Sequence, residues 1–252
     1  VKIAHIVPPY VADLVQEQIG DYHLLLPHLV PLARYRDYYR NDVGYKIMDN
    51  GVAEGRATTF TQQLFMAKAM GCKEVVLPDV MGDMDKTLSA VARAFPMAFV
   101  ERNNYQFMFV VQGRTILECV NCGERALNTF PGIINSFGIP RHILRVTADA
   151  RVRLVHLLKN MSPKRPIHLL GTHPHLPGEL LRFGQFFCEL GVRGVDTSMA
   201  WNAACQNIHL PHKGPIERQP MEEFAEAIPV EQQLKLLLQN MEVMNSWVRS
   251  TP

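Results

Sequence analysis

Four short apolar runs in this chain each end in a carboxylate or a carboxamide: Tyr45-Lys46-Ile47-Met48-Asp49, Val75-Val76-Leu77-Pro78-Asp79, Phe109-Val110-Val111-Gln112 and Gly194-Val195-Asp196. Buried strands that stop at polar groups are how a parallel barrel assembles a site. In a (β/α)8 barrel the strand C-termini converge on one rim, so residues remote in sequence meet there. The four runs fall among eight candidate strands, over residues 2–7, 23–26, 45–48, 74–77, 106–111, 132–136, 167–170 and 194–196. Between them lie amphipathic stretches at 58–70, 84–95, 115–128, 147–160 and 177–190, and a last one at 230–248 follows Pro229. This alternation predicts an α/β fold, a single-domain (β/α)8 TIM barrel over residues 1–252.

A length of 252 residues suits one such barrel, which typically takes about 250. An apolar content of 47% supplies a core for it. Thr58, Asp83 and Thr147 stand where helices should start, and Gly71 and Gly191 where they should stop. Residues 31–41 read as a loop or short helix, and 206–227, with four Pro or Gly, as an irregular excursion. No stretch approaches the ~18–20 apolar residues of a membrane span, and residues 1–9 lack the basic start of a signal peptide. Five scattered cysteines do not suggest a disulfide framework, so a reduced, cytoplasmic protein with no membrane partner is expected.

Each polar strand end has a local explanation beside a functional one. Asp49 precedes Asn50-Gly51, a sharp-turn pair, and can cap its own loop; Asp79 and Asp196 can cap the helices that follow. Their recurrence at successive strand ends favours a shared pocket, with Asp49 and Asp196 as a reacting pair and Asp79 with Gln112 reading a substrate. Gly113, Gly138 and Gly171 repeat a small-residue theme at strand ends, which lets a flat ligand approach backbone closely; the alternative is plain turn glycines. Cys119 and Cys122 form a lone C-x2-C in a helical setting with no second pair, which supports no zinc site. His173 and His175 suit a polar rim loop better than a metal, so no metal ligand is assigned.

The net charge of +2 does not itself argue for nucleic acid, so any such contact must come from local clustering. Arg34, Arg36 and Arg40 interleave with Tyr35, Tyr38 and Tyr39. That composition suits phosphate contacts and base stacking, and equally an amphipathic segment with its tyrosines inward. Arg141 and Arg145 follow Pro140 on the expected active rim.

At these residues the chain resembles the tRNA-guanine transglycosylase superfamily of (β/α)8 barrels, in the same order from about Tyr22 to Ser198. Asp49 in D-N-G matches the family's D-S-G-G-F-Q aspartate, and Asp79 its substrate-reading aspartate. Val111-Gln112-Gly113 matches V-Q-G-G, with Arg114 at the second glycine. Gly138-Ile139 matches its glycine-rich element, Leu170 before Gly171 the apolar residue covering the base, and Gly194-Val195-Asp196 the catalytic G-V-D. The family's C-x-C-x2-C…H zinc set is absent and the chain is shorter than the tRNA enzymes. Both departures point to the compact phage-encoded relatives that insert 7-deazaguanines into DNA, which would place the protein in the host cytoplasm.

The resemblance implies a pentosyltransferase that needs no cofactor. Asp196 attacks the anomeric carbon and expels guanine, and a free 7-deazaguanine base replaces it; Asp49 is the acid/base group. Asp79, Gln112, Gly113, Gly138, Ile139, Leu170 and Gly171 would bind the base, and Arg34, Arg36, Arg40, Arg141 and Arg145 the DNA. The alternatives are the same exchange on tRNA, a non-catalytic nucleic-acid-binding barrel subunit, and a barrel enzyme acting on a small metabolite.

Overall fold

Short runs rich in β-branched and aromatic residues, each followed by an amphipathic segment, can bury both faces only between a helix layer and a barrel interior. The computed structural model of the chain, which describes residues 1–145, 147, 149–172, 178–212, 216–217 and 219–248, has that arrangement. The strands are β1 (Lys2–His5), β2 (Tyr22–Leu25), β3 (Tyr45–Met48), β4 (Glu74–Val76), β5 (Gln106–Val110), β6 (Ile134–Pro140), β7 (Ile167–Leu170) and β8 (Val192–Thr197). Every ladder is parallel, in the order β1-β8-β7-β6-β5-β4-β3-β2. The sheet curls into a nearly closed (β/α)8 barrel, and at its seam Lys2 Nζ donates to Asp21 at 2.8 Å.

The helices are α1 (Gln16–Ile19), α2 (Ala33–Asn41), α3 (Phe60–Met70), α4 (Met84–Glu101), α5 (Ile116–Thr129), α6 (Ala150–Met161), α7 (Gly178–Glu189), α8 (Met199–Cys205), α9 (Met221–Glu226) and α10 (Glu231–Trp247). Strand residues such as Phe107, Phe137 and Ile139 are fully buried, as are Leu154, Val155 and Leu158 of α6. Each such side chain contributes about 1.5–3 kcal/mol. No helix among the described residues is long and apolar enough to cross a membrane, and all five cysteines are free thiols.

Strands 45–48 and 167–170 stand where the sequence places them, and the His23 segment is a buried strand one residue earlier than expected. β6 departs most. It was expected over 132–136 and runs Ile134–Pro140, because Gly132 (φ +82°) makes the turn before it while Gly138 lies inside the strand. A Cβ on Gly138 would stand 3.0 Å from Met108 Sδ and 3.1 Å from Leu170 Cδ1, so this glycine relieves crowding rather than ending the strand.

Helix α4 continues past the expected 95 and through Pro96 to Glu101. A proline inside a helix costs about 3 kcal/mol. Burial of Ala98 and the packing of Phe95 against Phe99 and Phe130 offset it. The cap of α3 is Thr59 rather than Thr58, because only Thr59 stands three residues before Gln62 and closes a capping box with it. α6 starts at Ala150 after Asp149, later than the expected Thr147, whose hydroxyl bonds Asp149 instead. The 31–41 segment is mostly α2, and the 206–227 excursion includes α9.

Candidate active site

All four polar strand ends of the sequence reading lie at the C-terminal rim. Asp49 follows β3, Asp79 and Gln112 come just beyond β4 and β5, and Asp196 is the penultimate residue of β8. Asp49 Oδ2 accepts a bond from the Gly51 amide at 3.1 Å, so it does form the local turn. It is also buried, with 8% of its surface exposed. Burial, then the charges of Glu54 and Asp196, raise its carboxyl well above the ordinary carboxylate range against the lowering bonds from its own turn. Gly51 has φ +74°, and a Cβ there would meet the Arg56 carbonyl oxygen at 2.5 Å. From α3, the buried Gln63 amide donates to the carbonyls of Met48, Asp49 and Val76 at 3.2, 3.0 and 2.8 Å, tying the ends of β3 and β4 together.

Asp79 and Gln112 form one unit, and Asn50 completes it. Asn50 Nδ2 donates to Asp79 Oδ1 at 2.5 Å and to the Leu77 carbonyl at 3.1 Å. Gln112 Nε2 donates to Asp79 Oδ2, and Gln112 Oε1 accepts from the Gly82 amide at 2.8 Å. Burial raises the Asp79 carboxyl, and the two amide donors oppose that rise. One hydrogen of the Gln112 amide and the remaining lone pairs of Asp79 are left to meet a donor–acceptor edge. Asn50, read in the sequence only as a turn former, is thus a part of the site.

Asp196 Oδ1 accepts two bonds, from His168 Nε2 at 2.9 Å and the Gly171 amide at 3.1 Å. Both fall on the same oxygen, and no described residue donates to Oδ2. Gly171 sits at φ +67°, a backbone region that costs an L residue roughly 1–2 kcal/mol. Its carbonyl accepts from Arg151 Nη1 at 2.6 Å, and the same nitrogen stands 3.3 Å from Glu179 Oε2. Arg151 and Glu179 have 0% and 2% of their surface exposed, and this buried pair holds the carbonyl of the residue whose amide bonds Asp196. Arg151→Met should destabilise the fold by about 3–5 kcal/mol, because it strands the Glu179 charge. Arg151→Met combined with Glu179→Leu should recover most of that loss in urea unfolding.

Strand alternation sorts the remaining residues. Ser136 and Gly138 face the barrel interior, where the missing Cβ of Gly138 accommodates Met108 and Leu170. Ile139 therefore turns its fully buried side chain to the helix layer, and only its backbone faces the pocket. A Cβ on Gly113 would meet Glu118 Cβ at 2.7 Å and the Cys119 amide nitrogen at 2.9 Å. Its small size therefore admits the start of α5, and its carbonyl accepts from His142 Nε2 at 3.0 Å.

The arginines divide. Arg141 is exposed at the mouth and donates to the Thr172 carbonyl at 3.3 Å, and Arg145 is exposed at the end of the turn after β6. Arg34 pairs with Asp13 at 3.1 Å, and Arg36 stands 3.6 Å from Asp37. Arg40 lies in the last turn of α2, roughly 9 Å further from the rim than Arg34. Tyr35 and Tyr39 are buried, so the interleaved aromatics of α2 serve the core and do not stack on bases. An open hollow of about 660 Å3 beside α2 includes Asp13, Asp37 and Asp42 with Arg34, an acidic balance unsuited to phosphate.

Cys119 and Cys122 are buried in α5, and burial pushes their thiols up to about 12 and about 11. No cluster of three or more His, Cys, Asp or Glu that could hold a metal occurs among the described residues. His173 and His175 lie outside the described residues.

No protein-family model matches the chain, and no curated protein sequence matches it.

Proposed function

We propose that the chain is a guanine transglycosylase that exchanges a guanine of DNA for a free 7-deazaguanine base through an aspartyl-glycosyl intermediate. The observation that carries the reading is the asymmetry between Asp196 and Asp49. Asp196 has one oxygen held by two donors and the other met by no donor among the described residues, while burial and neighbouring charge favour the protonated form of Asp49. A carboxylate nucleophile beside a proton-holding carboxyl is what two-step displacement at a sugar carbon requires.

In the first step Asp196 Oδ2 bonds to the anomeric carbon. The glycosidic C–N bond breaks with its electron pair on guanine, and Asp49 gives guanine a proton. In the second step a ring nitrogen of the incoming base attacks the same carbon. The C–Oδ2 bond returns its pair to Asp196, and Asp49 takes the proton from the base. Two displacements retain configuration. The Asn50–Asp79–Gln112 unit reads the base edge, and Leu170, packed against Gly138, gives it an apolar seat. A duplex hides the anomeric carbon and base edge, so the target must be flipped out or single-stranded.

Incubation with labelled guanine and matched DNA and tRNA tests the reading. Label should enter DNA; label in tRNA alone would refute DNA as the acceptor. Binding should weaken with salt, with a log–log slope near −0.9 per phosphate neutralised on duplex or about −0.7 on a single strand. Arg141→Ala with Arg145→Ala should make that slope shallower by about one to two phosphates. Alanine at Arg34, Arg36 and Arg40 should change it less, because Arg34 and Arg36 already face aspartates and Arg40 is remote from the rim.

A further inference from the structure

Beneath Asp196 a line of polar side chains crosses the barrel interior, where apolar layers would ordinarily pack. At its base Glu74 has no exposed surface and accepts from Ser136 Oγ, from Tyr45 Oη at 3.1 Å and from Arg193 Nη2 at 2.5 Å. Arg193 Nε then donates to Tyr22 Oη at 3.1 Å, and Tyr22 Oη meets His168 Nδ1 at 2.8 Å. His168, fully buried, reaches Asp196 Oδ1 through Nε2 at 2.9 Å.

Two local features make room for the line. His168 pairs with Gly194 while Ile167 pairs with Val192, so Arg193 is the extra residue of a bulge. Bulges re-aim side chains, and this one turns Arg193 to Tyr22. Gly194 leaves space for the phenol ring, since a Cβ there would lie 2.4 Å from Tyr22 Cε1. The glycine of Gly194-Val195-Asp196 thus serves the tyrosine beneath the aspartate.

The donors along the line run in one direction. Arg193 has only hydrogens to give, so Tyr22 accepts from it and spends its own proton on His168 Nδ1. In the neutral imidazole the ring hydrogen is then on Nε2, aimed at Asp196. We propose that His168 is a positioning residue for both steps at Asp196, held in its donor tautomer by Tyr22 and Arg193. This rests on the transglycosylase reading. When the glycosyl bond to Oδ2 breaks, negative charge returns to the carboxylate, and the donor on Oδ1 stabilises it. His168 therefore matters most to consumption of the covalent intermediate by the incoming base. In formation of the adduct the same hydrogen bond lowers the nucleophilicity of Asp196 while it orients the carboxylate, so the two effects oppose each other.

The first arm of the test uses the substrate-free protein and long-range 1H–15N NMR of the imidazoles. His168 should carry its hydrogen on Nε2, and Tyr22→Phe should mix the tautomers; a wild-type hydrogen on Nδ1 overturns the proposal. The second arm measures adduct formation and consumption by rapid quench. His168→Phe should slow consumption on the order of 10²-fold, the scale of losing one preorganised donor to a developing anion. The adduct should accumulate while the dissociation constant of the free base is unchanged. His168→Gln, which keeps an N–H within reach, should restore part of the rate.

Equal slowing of both steps, or of neither, in a folded His168→Phe protein refutes the role. A wild-type protein that forms no adduct overturns the transglycosylase reading and this role together. Failure of the role alone is distinguishable, because wild type would then still form and consume the adduct, while the variant's two steps would be unchanged or slowed by the same factor.

Discussion

Asp196→Ala is expected to abolish base exchange, with a loss on the order of 10⁴-fold or more, because the proposed mechanism gives the covalent bond to Asp196 alone among the described residues. In the proposed mechanism both half-reactions pass through Oδ2, so the trapped adduct should vanish together with turnover. The substitution leaves the His168 N–H and the Gly171 amide without their acceptor, which costs roughly 1–3 kcal/mol where no water replaces it. A folded, inactive protein is the expected product. Incorporation of labelled guanine and the mass of acid-quenched protein measure the outcome. Near-wild-type exchange in this variant would remove Asp196 as nucleophile.

Asp49→Asn should lower turnover on the order of 10²–10⁴-fold while the affinity for free base changes little. An equal loss in base affinity would recast Asp49 as a recognition residue. The same substitution should stabilise the fold near neutral pH. The Asp49 carboxyl is raised in the folded protein, so the native state binds its proton more tightly than the unfolded chain does. Stability therefore falls as pH rises from the ordinary carboxylate value towards the raised folded one. Asparagine lacks this term, so its advantage in denaturant midpoint should be present at neutral pH and disappear below the ordinary carboxylate value. An advantage independent of pH would mean that packing, not charge burial, is responsible. Loss of activity with gain of stability at one residue is the expected mark of a group strained for function.

The architecture was legible because it rests on periodicity. Tyr45-Lys46-Ile47-Met48 and Ile167-His168-Leu169-Leu170 are strands to the residue, and a helix follows each at the expected spacing, because alternation of buried runs and amphipathic stretches leaves few other ways to bury them. The strand-end aspartates were legible for the same reason, since chain direction alone sends every strand C-terminus to one rim. The reading failed where a residue's local meaning depends on a distant neighbour. Gly138 looked like a strand stop and is an interior strand residue facing Met108 and Leu170. The tyrosines of α2 suited stacking and inward packing equally in sequence, and burial of Tyr35 and Tyr39 decides for the core.

The residues missed share one physical character. Glu74, Tyr22, His168 and Arg193 each stand in or beside an apolar run, where the eye follows the hydrophobic neighbours. A signal was available. A charged or polar side chain in a strand buried on both faces cannot stay unpaired, so each one requires a partner elsewhere in the chain. Sequence can announce that such a partner must exist, but it cannot name it across 171 residues, the separation of Arg193 from Tyr22.

The sequence by itself thus determined the barrel, the rim and the carboxyls that meet there, because these follow from strand direction and hydrophobic period. The tertiary structure decided which oxygen of Asp196 is held, which amides hold Asp79, and what lies under Asp196. Those are contacts of a few ångströms between distant segments. A bulge at Arg193 and a missing Cβ at Gly194 set them, and neither feature has a period that the chain could display.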